Sequence, residues 1–536
     1  MQPRDTSRLE GGPFDLLVVG GGIHGLAIAY EASSRGLRTA LVEAADFGSG
    51  ISFNHQKTAH GGLRSLQSFR LDRAREAIGE RRALARIAPW FVHPLPFIVG
   101  TYRSMKKGRL ALRAGFKLDA WLGRDRNEGV ERELHLPPAK LLSRGMTLKL
   151  FPGIREQDLT GGAQWYDYQM VENDRLTFAF AAAADAHGAV LANYVEAAGA
   201  LREGDRIAGM SARDRQTGRN LAIRARMTIN AAGARAAEVA TLFGVRRPIP
   251  LIGAMNLVTS IAPKEVALAA PTATGRMLTL VPWKGHSIVG TSQNTTTGPR
   301  PSSADINAFV REANEAFPAL GLTRDRITLV HWGLVPAAEA PGQPADLLST
   351  PAIDDHARDG APGAMTVVGV KYTTARAVAQ RAVDAASARL GGGARGSRTA
   401  VATLPGAGLA DHEGLAIETA RRNKLDLAPA VLQRLGALYA ERSADIIRLM
   451  TMRPELQRPL GVHPSATAAE VVYVIEHEMA LHLADIIVRR IGLGAARHPG
   501  KVVLEECARI AASELGWTAE QQSEEIAAVE ELYKVP

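Results

Sequence analysis

The sequence predicts an α/β protein that closes in an all-helical region, and three observations predict it. An apolar run, Phe14–Val19, ends in glycines with GxGxxG spacing, Gly20, Gly22 and Gly25, then gives way to a helical pattern and a second apolar run, Thr39–Val42. Further on, short apolar runs such as MLTLVPW and HSIVGTS alternate with Pro/Gly turns. Past the glycine-rich residues 390–397 (LGGGARGS), the apolar spacing is helical to the end.

The first of these reads as a βαβ unit. Gly20 permits the tight turn, Gly22 lets backbone approach a pyrophosphate, and Gly25 lets the helix pack on the strand. Glu43 ends the second strand, eighteen residues after Gly25. That places an acid where it accepts from a ribose hydroxyl, with the helix N-terminus facing the phosphates. Strand, helix, second strand and acid in register specify dinucleotide binding, where a lone GxGxxG would not. The motif sits at the N-terminus of the chain, which suits FAD better than NAD.

Composition narrows the class. A chain of 536 residues with 46% hydrophobic content supports two or three domains with a large core. Cys507 is the only cysteine, so an intrachain disulfide, a CxxC pair and a cysteine metal cluster are all excluded. The N-terminal residues carry no apolar signal core. The charge-free residues 248–263 are too short and too broken by prolines to span a bilayer. A net charge of +9 admits nucleic acid, an anionic membrane surface or an anionic substrate. Nucleic acid is the weakest of these, for want of zinc-finger spacing, an RNP motif or a long basic tail.

Along the chain, residues 65–90 read as helical, 91–160 as irregular and basic, 161–235 as alternating segments, and 245–345 as strands with Pro/Gly turns. Residues 365–370 form an apolar strand running into a long helix. Residues 476–490 read as one helix with Met479, Ala480, Leu483, Ile486 and Ile487 on its core-facing stripe. His286, His331, His477 and His482 show no paired metal-ligand spacing except the loose Glu476-His477-Glu478…His482, which lies on a helix with ordinary packing and reads as structural, and no metal site is expected.

The segment DFGSGISFNHQKTAHGGLRSLQ, with Asp46, Ser49, Ser52, Lys57 and the run His60-Gly61-Gly62-Leu63-Arg64, resembles the flavin loop of FAD-dependent glycerol-3-phosphate dehydrogenases and oxidases. Asn230-Ala231-Ala232-Gly233, Pro282-Trp283, Gly290-Thr291-Ser292, the run from Gly369 to Arg376 (GVKYTTAR) and Leu404-Pro405-Gly406 extend the resemblance over nearly the whole chain. It implies an FAD-binding Rossmann-like domain of the glutathione-reductase or D-amino-acid-oxidase type, a mixed-sheet substrate domain and an α-helical C-terminal domain. The oxidoreductase region is expected over 1–397, with its FAD-binding core at about 14–90, 161–245 and 346–390 and its substrate domain at about 91–160 and 246–345. The helical domain follows at 398–536.

Three places depart from the family. Its Lys-Gly-Ser/Thr-His is matched by Gly253-Ala254-Met255-Asn256, its Gly-Val-Arg-Pro by Gly333-Leu334-Val335-Pro336, and a further arginine is absent near Ser349-Thr350-Pro351. Arginine offers a bidentate fork to phosphate that valine cannot. The flavin half of the site is therefore retained while the phosphate half is altered.

The expected cofactor contacts at the phosphate end are Gly20, Gly22, Ile23, His24, Gly25, Glu43 and Ser52. Around the flavin they are Lys57, His60, Gly61, Gly62, Gly369, Lys371, Tyr372 and Thr373, with Val195, Ala231 and Gly233 completing the set. His60 is expected beside the flavin ring, Arg64 on the substrate, and Lys371 against the flavin N1–C2 edge or the substrate. Asn256 either donates to the substrate carbinol in place of the family's histidine or is a core asparagine; it cannot be a general base near neutral pH.

The resemblance implies oxidation of a secondary alcohol, by default sn-glycerol 3-phosphate to dihydroxyacetone phosphate, with hydride passing to flavin N5 and electrons to quinone or another acceptor. A same-fold enzyme for another polyol, polyol phosphate or hydroxy acid is the first alternative. A low-turnover flavin-binding partner protein is the second. Arg103, Lys106, Lys107, Arg109, Arg113 and Lys117, with Leu110, Ala114, Leu118, Trp121 and Leu122, suggest a membrane-surface helix within 103–122. The expected location is cytoplasmic with peripheral contact at the inner face of the membrane, and a homodimer is an admissible assembly.

Overall fold

The computed structural model describes residues 1–62, 70–103, 109–294, 298–338, 346–408 and 411–536. Two sheets carry the first 370 residues or so. The first runs Ala352–Asp355, Ala364–Val368, Asn220–Asn230, Phe14–Val19, Thr39–Val42, Val190–Ala192. Its five inner and right-hand strands are parallel, and Ala352–Asp355 pairs antiparallel at one edge. Phe14–Val19 is a continuous apolar run because both of its faces are covered. Leu16 and Val18 face the helices Ile23–Ser34, Asn173–Ala186 and Ala375–Arg389. Leu17 and Val19 face the antiparallel meander Val195–Glu203 and Arg206–Asp214.

The second sheet runs Asp346–Leu347, Ile327–Ala338, Leu251–Thr259, His286–Asn294, Met277–Trp283, Ala267–Pro271, His93–Tyr102, Leu159–Gln169, Thr58–Ala59, with Lys140–Leu142 also on Leu159–Gln169. Two expectations are corrected here. Leu159–Gln169 belongs to this sheet, not to the FAD-binding core. Residues 91–160 are not irregular: they hold the strand His93–Tyr102 and the helices Arg109–Leu122 and Arg144–Leu150. Pro94 and Pro96 concealed that strand. Its second neighbour, Ala267–Pro271, pairs only with Phe97–Val99, so the prolines sit where one side of the strand needs no donor.

The C-terminal region packs the helices His412–Arg422, Pro429–Tyr439, Ser443–Met452, Ala468–Glu478, Lys501–Leu515 and Ala519–Leu532 around one core, with a small hairpin, Pro459–Leu460 and His463–Thr467, that the sequence did not signal. The single helix expected over 476–490 is two pieces. Ala468–Glu478 stops at Met479, in left-handed conformation (φ 53°), and a wide turn of helix, Asp485–Arg490, follows. The stripe residues Met479, Ala480, Leu483, Ile486 and Ile487 are nonetheless all buried. Among the described residues no helix is long and apolar enough to cross a membrane.

Candidate functional site

The glycine turn has the geometry its spacing requires. Gly20 has φ 110°, and a Cβ there would lie 2.6 Å from the Ala231 carbonyl oxygen. A Cβ on Gly25 would overlap the Gly20 carbonyl oxygen. Gly22 is different: a Cβ there meets only the Ser52 hydroxyl, at 3.3 Å, so the space over the helix N-terminus is open. Ser52 Oγ accepts the Ile23 N–H at 2.9 Å, and Glu43 accepts the Gly21 and Ala45 N–H groups at 2.5 and 2.8 Å. Burial pushes the Glu43 carboxyl above its usual range, against these two bonds. Val195 donates to the Glu43 carbonyl at 2.8 Å, and Ala231 to the Val19 carbonyl at 2.8 Å, so both strands close on the same turn. Gly233 continues that edge with φ 58°. The His24 ring fills the space a side chain at Gly369 would need; among the described residues its Nε2 is buried without a partner, and burial pushes the imidazole down to about 4.

From Ile51 to Lys57 the chain lies across one face of the second sheet, and Thr58–Ala59 then joins its edge beside Leu159–Gln169. Register places Asn256 opposite Gly290 and His331, and Thr279 opposite Gly290. Ile51 fits against Gly333, Phe53 against the His331 ring, and Lys57 against Trp283. Gln56 Oε1 accepts the Thr279 hydroxyl at 2.7 Å. Asn256, 2% exposed, accepts the Thr291 hydroxyl at 2.7 Å on Oδ1. Asn256, Thr279, Thr291 and Gln56 thus form a neutral polar cluster facing the loop. Val335 lies on the same face, opposite Ile252 and two residues beyond Gly333.

Lys57 is fully buried in left-handed conformation (φ 57°). Its Nζ donates to the Phe53 carbonyl at 2.5 Å and lies 4.1 Å from the Phe53 ring centroid. Burial pushes it down to about 8. The ammonium is therefore spent inside the loop rather than extended from it. His55 Nδ1 accepts the Lys57 N–H at 3.0 Å, leaving Nε2–H to donate to Asn173 Oδ1 at 3.0 Å, while Asn173 donates to the Ser52 carbonyl at 2.9 Å.

His60 is exposed, and its loop is held by Asp167. His60 Nδ1–H faces Asp167 Oδ2 at 3.3 Å, His60 Nε2 accepts the Thr58 hydroxyl at 2.9 Å, and the Gly61 N–H donates to Asp167 Oδ1 at 2.7 Å. Arg81, from the helix Leu71–Ile87, pairs with the same carboxylate and occupies the place of a Gly61 side chain. Burial works to raise Asp167, and the His60 bond and the Arg81 charge outweigh it, holding the carboxyl below its usual range. Gly62 has φ 78°, with a would-be Cβ 2.8 Å from Ala77. Thr373 Oγ1 accepts the His60 N–H at 3.2 Å, and the Tyr372 hydroxyl lies 2.9 Å from Thr177 Oγ1. The expected loops therefore converge. Lys371 is exposed just before them, and Arg64 lies outside the described residues.

Sequence reasoning missed Asp167, Arg81, Gln56, His55 and Asn173. Only Asp167 left a signal, as an acid inside the aromatic strand segment WYDYQ. Arg376, which closes the GVKYTTAR run, is committed to Glu80 by bonds of 2.8 and 2.5 Å.

The helix Arg109–Leu122 also differs from expectation. Leu118 and Leu122 turn inward with the buried Phe116, while Ala114 and Trp121 share the outer face with Arg113 and Lys117. Trp121 is 60% exposed, with the Arg124 guanidinium 5.9 Å from its ring. Arg103 is exposed as well, and Lys106 and Lys107 lie outside the described residues.

The open space above Gly22, the Glu43 carboxylate and the unpartnered His24 fit an adenine dinucleotide, and the converging loops fit its isoalloxazine. The comparisons with known proteins agree. Residues 15–385 match the model of FAD dependent oxidoreductases, and residues 397–522 match the C-terminal domain of alpha-glycerophosphate oxidase. The chain is 32% identical to a glycerol-3-phosphate dehydrogenase of Mycobacterium leprae, covering 96% of this chain and 87% of that protein. It is 29% identical to one of Synechocystis, covering 98% and 97%. The solved glycerol-3-phosphate dehydrogenase of Bacillus halodurans, complexed with FAD, superposes with a TM-score of 0.77 at 25% identity, covering 98% and 96%. The chain belongs to the FAD-dependent glycerol-3-phosphate dehydrogenase family, oxidoreductases acting on CH–OH donors.

Proposed function

We propose that the chain oxidises the secondary carbinol of sn-glycerol 3-phosphate to the ketone and passes the electrons to a membrane quinone. The near-full-length match to relatives named for that substrate, C-terminal domain included, carries this reading. Bound FAD supplies the hydride acceptor. In this proposal His60 packs beside the flavin ring, Arg64 and Lys371 hold the substrate's charged end, and Asn256 hydrogen-bonds the carbinol. Asp167 keeps the His60–Gly62 backbone in place. The outer face of Arg109–Leu122, with Arg113, Lys117 and Trp121, rests on an anionic membrane surface where the acceptor is dissolved.

One observation favours a different polyol as substrate. Among the described cations around the loop, Arg81, Arg376, Lys57 and Lys284 are held by Asp167, Glu80, the Phe53 carbonyl and Glu172. The face carrying Asn256 presents hydroxyls and amides. Anaerobic mixing of the yellow protein with sn-glycerol 3-phosphate, glycerol, other polyol phosphates and hydroxy acids decides between the two. Bleaching by glycerol 3-phosphate alone supports the first reading, and bleaching by another compound alone supports the second. No bleaching by any of them leaves a flavin-binding protein without this activity.

A further inference from the structure

The carboxylate of Asp46 joins the C-terminal region to the loop that shapes the cofactor's phosphate site. Asp46 is 1% exposed. Arg490 donates to both of its oxygens, at 2.8 and 3.0 Å, and Arg489 Nε adds a bond of 2.7 Å. Asn193 donates at 3.2 Å. Just beyond Asp46, the Gly48 N–H donates to the Gly21 carbonyl at 2.9 Å, inside the glycine turn itself. Further along, Ser52 takes the Ile23 N–H of the phosphate-facing helix end. The arginines are themselves seated from their own side. Arg490 donates to the Glu478 carbonyl at 3.3 and 3.2 Å, and Arg489 pairs with Asp485. Asp485 in turn accepts the Tyr194 hydroxyl at 2.8 Å and the His482 N–H at 3.0 Å.

A buried ion cluster is weak evidence for stability, because well-packed apolar side chains of similar size often do as well or better. What charge-assisted, bidentate bonds add is geometry. Here the geometry fixed is that of the loop start, between the Glu43 acid and the Ser52 hydroxyl.

We infer that Arg489 and Arg490 are positioning residues for the cofactor: by holding Asp46 they keep the loop in the shape that accepts FAD, so that FAD binding and docking of the C-terminal region are linked. Linkage is reciprocal. Loosening the arginines weakens FAD binding, and FAD binding steadies residues 481–491. The inference rests on FAD as the dinucleotide bound at the glycine turn.

The test uses the full-length chain, stripped of flavin and titrated with FAD by fluorescence quenching. Arg490→Gln, Arg489→Gln and Asp46→Asn each remove part of the Asp46 contact. Arg453→Gln is the control. It breaks the pair with Glu514 (2.7 Å) inside the C-terminal region, without touching Asp46 or residues 481–491. The loop variants should weaken FAD binding about tenfold or more, the size of one lost charge-assisted bond. Arg453→Gln should lower the melting temperature slightly while leaving FAD affinity within about twofold. Hydrogen exchange on the wild-type chain needs no variant: amides of 481–491 should slow when FAD is added. Loop variants that fold and bind FAD like the wild type overturn the inference, as does exchange at 481–491 that ignores FAD. A wild type that binds no FAD would instead sink the cofactor reading, and is told apart because the failure appears before any substitution.

Discussion

The Asp167 carboxylate receives the Gly61 backbone N–H at 2.7 Å while its second oxygen faces the His60 ring at 3.3 Å. One acid on the second sheet thus sets the loop that meets Thr373 from the first. Thr58–Ala59, just before this loop, pairs with Leu159–Gln169, so the Asp167 bonds lock the loop to its own sheet, and the His60 N–H bond to Thr373 Oγ1 at 3.2 Å then joins that fixed loop to the segment after Ala364–Val368.

Asp167→Asn should therefore be costly and pH-dependent. The folded carboxyl is held below its usual range. Its contribution is full above the unfolded value, about 3.9, and is lost as pH falls through the lower folded value. The variant should lose about 3–5 kcal/mol at neutral pH, because Arg81 is left as an uncompensated buried charge. Urea melts at neutral and acid pH check this: the gap between variant and wild type must narrow in acid. An unchanged gap would show that the charge is not what matters.

Gly22→Ala and Gly25→Ala should part company. At Gly25 a Cβ overlaps the Gly20 carbonyl, and overpacking of this kind costs about 1–3 kcal/mol or more. At Gly22, with φ −73° and only Ser52 Oγ in reach, the apoprotein should melt within about 0.5 kcal/mol of wild type. Its FAD affinity should fall all the same, since the methyl occupies the pyrophosphate's approach. Thermal melts of apoprotein and the ratio of flavin to protein absorbance separate the two effects.

Lys57→Met should remove an alkaline feature of stability. The buried ammonium is pushed down to about 8 by desolvation. Between there and about 10.4 the unfolded chain holds a proton that the folded chain has released, so this group makes stability rise with pH across that window. The methionine variant should lack the rise and gain about 1–3 kcal/mol at neutral pH, where the buried charge is absent. A wild-type stability that does not rise between neutral and alkaline pH, relative to the variant, refutes it.

Glycerol 3-phosphate should be bound weakly for this family. Each lost charge-assisted contact to phosphate costs on the order of 1.5–3 kcal/mol, or roughly 10- to 150-fold in affinity. By the resemblance read from the sequence, Val335 and Asn256 each fall at a position of the family's phosphate- or carbinol-directed side chains. Val335→Arg should lower KM for glycerol 3-phosphate and leave KM for unphosphorylated glycerol unchanged. A micromolar KM in the wild type would mean that other cations have taken over.

Vesicle co-sedimentation at low and high salt tests the outer face of Arg109–Leu122. Replacing Arg113 and Lys117 by Gln should reduce binding to anionic vesicles at low salt, by about 1 kcal/mol per charge. Trp121→Ser should reduce what persists at high salt, where screening shortens to about 3 Å. Wild-type protein that ignores anionic vesicles would make this face an ordinary solvated surface.

The sequence by itself determined the βαβ unit, the loops that meet beside Thr373 and the helical C-terminal region. Each is a local pattern: three glycines in fixed spacing, an apolar run buried on both faces, a stripe at helical period. It also recorded Asn256 and Val335, which the resemblance reads as departures, since these are identities along the chain. Only the tertiary structure decided that Leu159–Gln169 belongs to the second sheet and that His93–Tyr102 is a strand despite Pro94 and Pro96. Strand partners are chosen by faces that meet at long sequence separation, and a proline is tolerated or not according to which edge lacks a neighbour. The same holds for the charges. Lys57, Arg81, Arg376, Arg489 and Arg490 read alike in the chain, as cations in basic or mixed segments. Folding assigns one to a carbonyl inside its own loop and the rest to Asp167, Glu80 and Asp46. An ion's partner is set by distance after packing, and no spacing along the sequence encodes it.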